Sequence, residues 1–316
     1  MPFDFSSVSA PFRMQPGLRR LAPGALQLTP IDPDSPAFGE KLAALSEHPQ
    51  HALVASPGFD AKPALQALMR QVIDEHPADF AWDGEHAFSA HRLGWSSRGD
   101  ELAGHGPPAI AECLRGLPAE WRLAGLLGLA LAEDFAIIDG TTARIPWLAV
   151  CLPSRWAPEE KVGRHFAQVH APVADNDLLV GAGDHLARLV TGSERWERFV
   201  WTISGEARLQ QHPGHIAPAG WPAEHSAAQT AANAFFRTER QTFIPVPDVR
   251  EAVFTIHVES RPLTDALDSP ESARQLRDAL GSMSAAVIAY RGLTDARDRL
   301  LEWLDERAAQ APATNR

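Results

Sequence analysis

The chain has 316 residues, 45% of them hydrophobic and 22% charged, which is enough apolar material to bury a sizeable core in one large domain or two. Its formal net charge of −11 provides no basic field that would gather phosphates, so we expect neither a nucleic-acid partner nor an anionic membrane surface. The two cysteines, Cys113 and Cys151, are too few for a disulfide framework or an iron–sulfur ligand set, and they favour a reducing compartment.

Hydropathy predicts no membrane segment. The longest apolar run, LAGLLGLALA at 123–132, is far shorter than the roughly 20 residues of a membrane-spanning helix. The amino-terminal stretch MPFDFSSVSAPFRMQPG carries Asp4 and lacks the apolar centre of a secretory signal. We therefore expect a cytoplasmic protein without membrane attachment.

The sequence contains no repeat and no low-complexity linker, and its 26 prolines are scattered between predicted elements. We therefore expect one domain over residues 1–316, with helical extensions at both ends. The first third is expected to be helical and loop-rich, with Asp60 capping a helix over AKPALQALMRQVIDEH. One face of that helix carries a predicted core stripe of Leu65, Leu68, Val72 and Ile73.

Four segments predict β-strands. The apolar runs 133–139 and 145–152 flank Gly-Thr-Thr-Ala-Arg, which favours a hairpin. The segments ERWERFVWTIS (194–204) and EAVFTIHVES (251–260) are also typical of strands. In the last of these, Phe254, Ile256 and Val258 alternate with Thr255, His257 and Glu259. We expect one buried face and one wetter face, with His257 as an ordinary surface residue.

Helices are predicted between and after these strands. A central helix is expected over 157–170, Ser269-Pro270 opens another, and Thr294 can cap a third over LTDARDRLLEWLDERAA. The second carries Ala273, Leu276 and Leu280 on one side. Strands on both sides of a central helix, with helices grouped before and after them, indicate an α+β domain. Its sheet should be mostly antiparallel and covered on one face, which leaves room for a flat cofactor.

The predicted helix 157–170 is the segment most informative about chemistry. With Val162 as the reference, Phe166 and Val169 lie on the same face, and His165 and His170 flank that stripe. Pro172 disfavours helical geometry at the residue before it, so His170 lies in the last turn and can project into a pocket. A neutral imidazole held in this way can ligate a haem iron. From the residues alone, a hydrogen-bonded core histidine is the more common explanation.

Two further histidine pairs resemble metal-ligand spacings. They are His48-Pro-Gln-His51 and His212-Pro-Gly-His215. Each pair contains a proline, lies in a predicted loop and lacks a cysteine or HExxH partner. We interpret all four as solvated loop histidines.

The cluster Arg237-Thr-Glu239-Arg240-Gln241 lies between two phenylalanines and a predicted strand. A solvated charge run is the usual explanation for such a segment. The aromatic flanks favour partial burial here, and buried arginines need anions. Glu239 or the carboxylates of a cofactor could supply them.

Signatures of common nucleotide cofactors and hydrolases are missing from the sequence. GAGDHL at 181–186 lacks the third glycine of a dinucleotide fingerprint, and no GxxxxGK[ST] motif is present. GWSSRG at 94–99 does not match GxSxG. The sequence therefore predicts no flavin, NAD or ATP site.

An ordered set of motifs resembles one known family. The motifs are LPSRWAPEEKVG (152–163), VHAPV (169–173), RTERQTF (237–243) and VFTI (253–256). PFRMQPGL (11–18) and Glu133-Asp134 also match family positions. This combination is similar to the haem-dependent oxidative N-demethylase alpha-subunit-like family, and the resemblance extends to about Leu263.

The resemblance implies a PAS-like domain that binds haem b without covalent attachment. In the founding enzyme, the bound iron activates oxygen to demethylate dimethylamine. His170 matches the family's histidine–proline motif and becomes the expected proximal iron ligand, while Arg237 and Arg240 become candidates for propionate contact. Arg198 and Trp201 are further expected cofactor-binding residues. Glu239 is the expected catalytic carboxylate, pairing with a cationic amine.

The sequence departs from the family pattern at two positions. The usual Arg-x-Asn-Trp has Val200 in place of asparagine, and the proline expected at 174 is alanine. The resemblance implies a haem-dependent monooxygenase that takes O2, a small N-methylated amine and electrons from a separate flavin and iron–sulfur reductase subunit. Two alternatives stay open at this point, a non-catalytic haem-binding PAS sensor and an assembly subunit without haem.

Overall fold

The computed structural model describes residues 3–85, 87–99, 101–217 and 220–310. The ends of the expected domain, at 1–2 and 311–316, lie outside the described residues. Helices surround two antiparallel sheets, so the prediction of an α+β fold is confirmed. No helix in the described part of the chain is long and apolar enough to cross a membrane.

The strands form one large sheet and one small sheet. In chain order they are β1 (Arg19–Arg20), β2 (Leu53–Ala55), β3 (Phe80–Trp82), β4 (Ala87–Ala90), β5 (Trp95–Arg98), β6 (Glu101–Gly104), β7 (Asp134–Asp139), β8 (Arg144–Ala149), β9 (Trp196–Ser204), β10 (Phe235–Val246) and β11 (Glu251–Pro262). The described residues give a seven-stranded sheet in the order β1-β9-β10-β11-β7-β8-β2 and a four-stranded sheet β3-β4-β5-β6. The large sheet carries the candidate site.

The helices cover this large sheet and extend the fold at both ends. They are α1 (Pro36–Glu47), α2 (Pro49–Ala52), α3 (Lys62–Glu75), α4 (Pro108–Gly116), α5 (Arg122–Ala130), α6 (Phe166–His170), α7 (Asp177–Gly181), α8 (Gly183–Val190), α9 (Ala227–Ala232), α10 (Leu263–Ala266), α11 (Pro270–Gly281), α12 (Ala285–Tyr290) and α13 (Arg297–Ala309). Short 3-10 turns cover Phe5–Ser7, His91–Leu93, Ala119–Trp121, Pro158–Glu160 and Pro247–Val249.

The predicted hairpin and both later strands are confirmed. β7 pairs antiparallel with β8 across the Gly-Thr-Thr-Ala-Arg turn, with an irregularity between Ile137 and Asp139. β9 and β11 cover most of the segments predicted as strands, and both pair with β10. β10 and β11 are each 12 residues long and are joined through Arg250 in the left-handed region. This long pair forms the centre of the sheet.

The sheet is covered on both faces, so the expectation of one wet face was wrong. On the face away from the cavity, Thr255 is fully buried, and its hydroxyl lies 2.7 Å from that of Thr242. The amide of Gln27 donates to Thr242 at 3.0 Å, and α3 packs against β10 and β11. His257 is likewise not ordinary surface, because its Nδ1 lies 3.2 Å from the buried carboxylate of Glu133. Burial disfavours the charged His257, but hydrogen bonding to Glu133 outweighs this and raises its pKa.

The predicted helix over 157–170 is not continuous. A 3-10 turn at Pro158–Glu160 is followed by Gly163 at φ +71°, and only α6 at the end is helical. A side chain is strained in this left-handed region, and glycine is not. The apolar residues whose spacing suggested one helix therefore belong to two separate short elements and the turn between them.

The predicted helix caps differ in outcome. Ser269 caps α11 as predicted, with its hydroxyl accepting from the backbone of Ser272. The last helix begins only at Arg297, so the predicted cap at Thr294 was wrong. Asp60 accepts from the backbone of Lys62 at 2.9 Å, one residue before the helix cap position at Ala61.

The first third also contains the small sheet, which was not predicted. Its four strands, within 80–104, are three or four residues long and contain several alanines and serines. Short strands with few β-branched residues carry a weak pattern. The small sheet packs with α5 on the main core.

A buried ion pair connects α1 to the centre of the sheet. Lys41 is fully buried, and its Nζ lies 3.0 Å from Oδ1 of Asp134 while donating to the carbonyls of Leu131 and Glu133. The other oxygen of Asp134 accepts from the backbone of Leu152 at 2.7 Å. This pair therefore fixes the start of the segment that covers the cavity.

We predict that Lys41→Met lowers the free energy of unfolding by about 3–5 kcal/mol, because it leaves the carboxylate of Asp134 buried without its cation. Urea unfolding followed by circular dichroism measures the change. Arg277→Met is the matched control, since the pair of Arg277 with Asp305 is exposed and screened by solvent, so its loss should change the stability little. Equal effects of the two substitutions would contradict a structural role for the buried pair.

Candidate functional site

A cavity of about 370 Å³ lies between one face of the large sheet and the segment that follows β8. Its apolar lining includes Ala136, Ile138, Ile145, Leu148, Trp156, Phe166, Val169, Val173, Leu179, Phe243, Phe254 and Ile256. Its polar lining includes Ser154, Arg155, Lys161, His170, Arg198, Gln211, Arg237, Glu239, Gln241, Tyr290 and Arg291. Cofactor and ligand sites of roughly 300–1,000 Å³ have this composition, mostly apolar with a few convergent polar groups.

The floor of the cavity follows from the alternation of side chains along the strands. On β10, Arg237, Glu239 and Gln241 face the cavity. The register places Glu239 opposite Val200 of β9 and Gln241 opposite Arg198. Because side chains alternate along both strands, the predicted residues Arg198, Arg237 and Glu239 lie on the same surface of the sheet.

The roof is the segment from Ser154 to Val173. Gly163 and His165 connect it to β8, through Gly163 N donating to Ile145 O at 2.7 Å and a bridge between Arg144 and His165. The ring of His165 also caps α6 by accepting from the backbone of Ala167. This cap starts the short helix that ends at His170.

His170 lines the cavity and has one ring nitrogen committed to the fold. Its Nδ1 lies 2.9 Å from the carbonyl of Phe166, and a carbonyl only accepts, so Nδ1 carries the proton. The Nε2 lone pair is then available for a ligand. Burial lowers the pKa of His170 to about 4, so the imidazole is neutral at neutral pH. A neutral imidazole whose Nδ1–H is held by a backbone carbonyl is the usual form of a metal-ligating histidine.

Arg198, on the floor of the cavity, has a buried N–H donor that is not used within the described part of the chain. Among the described residues its buried Nε has no hydrogen-bond partner. Burial lowers the pKa of Arg198, and the charge of Glu239 opposes that effect. A buried guanidinium with a free donor is a strong anion-binding group, and its planar fork matches a carboxylate.

Arg237 is 2% exposed, and most of its N–H groups donate to other groups of the same chain. Its Nε donates to Ser154 Oγ at 2.9 Å, and its other nitrogens donate to the carbonyls of Leu152, Arg208 and Leu209. Burial lowers its pKa to about 10, and it stays charged at neutral pH. A guanidinium has five N–H groups, so these four bonds leave one for any other acceptor.

Glu239 is fixed within the same network. The hydroxyl of Ser154 donates to one of its oxygens, and the amide of Gln241 donates to the other at 2.6 Å. The guanidinium of Arg237 in turn donates to Ser154, so the hydroxyl relays between cation and carboxylate. The carboxylate therefore has one defined orientation in the cavity.

Two other predicted residues differ in their position relative to the cavity. Arg240 does not line the cavity, because three positions along a strand place it on the opposite face from Arg237. Its guanidinium pairs with Glu197 at 3.0 Å and donates to the carbonyl of Leu26. Trp201 borders the cavity but is 3% exposed and packs against Phe236.

The structure adds cationic residues that sequence analysis did not identify. Arg291, at the end of α12, donates to the carbonyl of Trp201 at 2.8 Å and stacks over its ring. Burial lowers the pKa of Arg291 to about 10. Lys161, in the roof, donates to the carbonyl of Val169 at 3.2 Å. The family motifs contain Lys161, whereas Arg291 lies beyond them and had no sequence signal.

The prediction that the two histidine pairs are solvated loop residues was wrong, because His212 is buried and His51 lies in α2. The structure brings His48, His51, His212 and His215 together beside the roof, next to Glu159. His212 is 4% exposed and its Nε2 lies 3.0 Å from Glu159. This second group lies outside the main cavity.

The chain matches a protein-family model. The model of a protein family described as haem-dependent oxidative N-demethylase, alpha subunit-like, matches residues 36–301. The match covers the large sheet from β2 onward, the roof and most of the carboxyl-terminal helices. A search of curated proteins finds no match.

Proposed function

The chain belongs to the haem-dependent oxidative N-demethylase, alpha subunit-like family, and on this premise we propose that it removes an N-methyl group from a small amine with haem b bound in the cavity. The observation that carries the proposal is His170, a neutral imidazole whose Nε2 lone pair is available at the cavity wall. The proposed cofactor is non-covalent, because both cysteines lie outside the lining of the cavity.

The residues of the cavity fit such a cofactor. An apolar wall built from Leu148, Phe243, Phe254 and Ile256 suits a flat macrocycle. Arg198 supplies a buried donor without a partner among the described residues, which suits a propionate. We propose His170 as the iron ligand and Arg198 as the main propionate contact, with Arg237 keeping one donor for a second contact.

Haem supplies oxygen activation and oxidation of an N-methyl carbon when it is bound. The chain would supply position and charge. The fixed carboxylate of Glu239 would accept a hydrogen bond from the ammonium group of the substrate and hold its methyl group in the cavity. The apolar wall would exclude water around that group, which strengthens the pairing with Glu239.

Turnover would need electrons from another protein. The chain has two cysteines and no flavin motif, so it cannot itself hold the usual redox centres of a reductase. The family description as an alpha subunit also supports a partner subunit. We propose a flavin and iron–sulfur reductase as that partner, and one PAS-like haem domain formed by the sheet and its covering helices.

We predict that the preferred substrate is bulkier or less polar than dimethylamine. Val200 lines the cavity and is the register partner of Glu239 on the adjacent strand. The family pattern has asparagine at this position, so a hydrogen-bonding side chain is replaced by an apolar one. Formaldehyde release and NADPH oxidation with a reductase, measured over a panel of N-methyl amines, give the ranking.

Val200→Asn should move the ranking toward dimethylamine. If dimethylamine ranks first in both proteins, Val200 does not set specificity. If no amine in the panel gives formaldehyde while haem is bound, the chain is a haem-binding sensor and not a demethylase.

We predict that His170→Ala abolishes or strongly alters the Soret spectrum of the haem-loaded protein. His165→Ala is the matched control, because His165 lies five residues away and its Nε2 pairs with Asp184 at 2.8 Å. Spectra of both variants, with circular dichroism to check folding, test the assignment. A wild-type spectrum for His170→Ala with loss for His165→Ala would identify the other histidine as the ligand.

We predict that Arg198→Lys weakens haem retention by roughly tenfold or more, because an ammonium does not reproduce bidentate contact with a carboxylate. Arg240→Lys is the matched control on the other face of the sheet and should retain haem as the wild type does. Haem transfer to an acceptor protein gives the loss rates. Equal rates for the two variants would remove Arg198 from the proposed propionate site.

A further inference from the structure

Two histidine pairs that are 164 residues apart in sequence meet beside the roof and outside the main cavity. His48 follows α1 and His51 lies in α2, while His212 and His215 lie in the loop after β9. The rings of His48 and His215 are 4.0 Å apart between centroids, and those of His51 and His215 are 5.0 Å apart. Nδ1 of His51 lies 2.8 Å from Nε2 of His215.

The ring nitrogens separate into two groups by their existing partners. His212 accepts from the backbone of Gly214 at Nδ1, so in the neutral ring Nε2 carries the proton and donates to Glu159. Both nitrogens of His212 are therefore in use. The facing nitrogens of His51 and His215 have only each other as partners among the described residues, and the ring of His48 packs against both.

We propose that His48, His51 and His215 bind one divalent transition-metal ion of the Zn²⁺ class. One ligand nitrogen from each of these three residues lies within 4.8 Å of the others. Nitrogens that share a tetrahedral ion at 2.0–2.1 Å are roughly 3.3 Å apart. The contact between His51 and His215 therefore has to open by about 0.5 Å, which a small ring rotation provides.

The chemistry of the ligands selects the ion. Three imidazoles without a thiolate suit Zn²⁺, Cu²⁺ or Ni²⁺ and do not suit Ca²⁺ or Mg²⁺. A small cavity of about 10 Å³ lies between these rings, Gln210 and the chain around Cys151. That volume is about the size of one water-sized sphere, so a single ion is accommodated. Three protein ligands leave a fourth position for water.

The surrounding chain holds the ligands in place. The carboxylate of Glu40, on α1, accepts from the backbone of Leu209 and Gln210 at 3.2 and 2.7 Å. It thereby connects the helix that precedes His48 to the loop that carries His215. The Gln210 side chain is 6% exposed, and its Oε1 has no partner among the described residues, although its amide lies 2.9 Å from Nδ1 of His215.

Gln210 fits the outer partner of a metal-bound histidine. When Nε2 of His215 ligates an ion, its Nδ1 carries the proton and needs an acceptor. Rotation of the Gln210 amide by half a turn brings Oε1 to that position, since the two orientations have the same shape. The oxygen without a partner then accepts this hydrogen bond.

The site is distinct from the proposed haem site, so its test does not depend on haem. The His170→Ala variant removes the cavity histidine whose Nε2 lone pair is available and is the starting protein. After treatment with EDTA and dialysis, it is titrated with Zn²⁺ against a chromophoric chelator, and bound metal is measured by elemental analysis. We expect one Zn²⁺ per chain and a rise in Tm on binding.

Substitution of each ligand should weaken Zn²⁺ binding at least about tenfold in His48→Gln, His51→Gln and His215→Gln. His212→Gln should bind within a few-fold of the starting protein, because His212 is placed outside the ligand set. His105→Ala is the control for an exposed histidine. Circular dichroism verifies that each variant is folded.

Cobalt provides a second measurement that does not require substitution of a ligand. Co²⁺ in a tetrahedral imidazole site absorbs strongly in the visible range, and Zn²⁺ should displace it with one equivalent. No Zn²⁺ binding above weak surface association, or loss of binding in His212→Gln with retention in His51→Gln, would overturn the assignment. Stoichiometric binding with an octahedral cobalt spectrum would refute the tetrahedral geometry.

Discussion

The arrangement of the cavity depends on the need to satisfy one buried cation, Arg237. A guanidinium that is 2% exposed is tolerated only when its donors have acceptors, and here they are a hydroxyl and three carbonyls from two separate loops. The loop at 152–154 and the loop at 208–209 are thereby held above the central strand. The same hydroxyl, that of Ser154, positions Glu239. The roof, the floor and the carboxylate are thus connected through one side chain.

Because four of the five N–H donors of Arg237 are already used, the neighbouring cation has a different role. Arg198 lies on the adjacent strand, in register with Gln241, and its Nε has no partner among the described residues. Two arginines on one surface therefore differ in what they can bind, because one is engaged by the chain and the other is available. Arg240 lies on the opposite face of the sheet, where it pairs with Glu197. Neighbouring arginines in the sequence are not equivalent once alternation and loop contacts are known.

The sequence predicted those parts of the fold that local patterns determine. The hairpin around Gly-Thr-Thr-Ala-Arg, the alternating strand at 251–260 and the Ser269 cap are each set within a few residues, and all three are confirmed. The helix over 157–170 failed because Val162, Phe166 and Val169 also fit a turn followed by a short helix, with Gly163 between them. The alternation that separates Arg237 from Arg240 was available in the sequence, since a three-residue step changes face. Arg291 and the histidine group depend on contacts across the fold, which no local pattern contains.

The two candidate sites share their supporting chain. Gln211 exchanges backbone hydrogen bonds with Pro153 and Arg155, so the loop that carries His212 and His215 pairs with the residues on either side of Ser154. Arg237 donates to the carbonyl of Leu209 in that same loop. An interaction that orders the loop at its histidines therefore also restricts the position of Ser154. Through the hydroxyl of Ser154, it restricts Glu239 as well. Because buried polar networks have few alternative arrangements, such ordering supports the one orientation of the Glu239 carboxylate without any contact between the two sites.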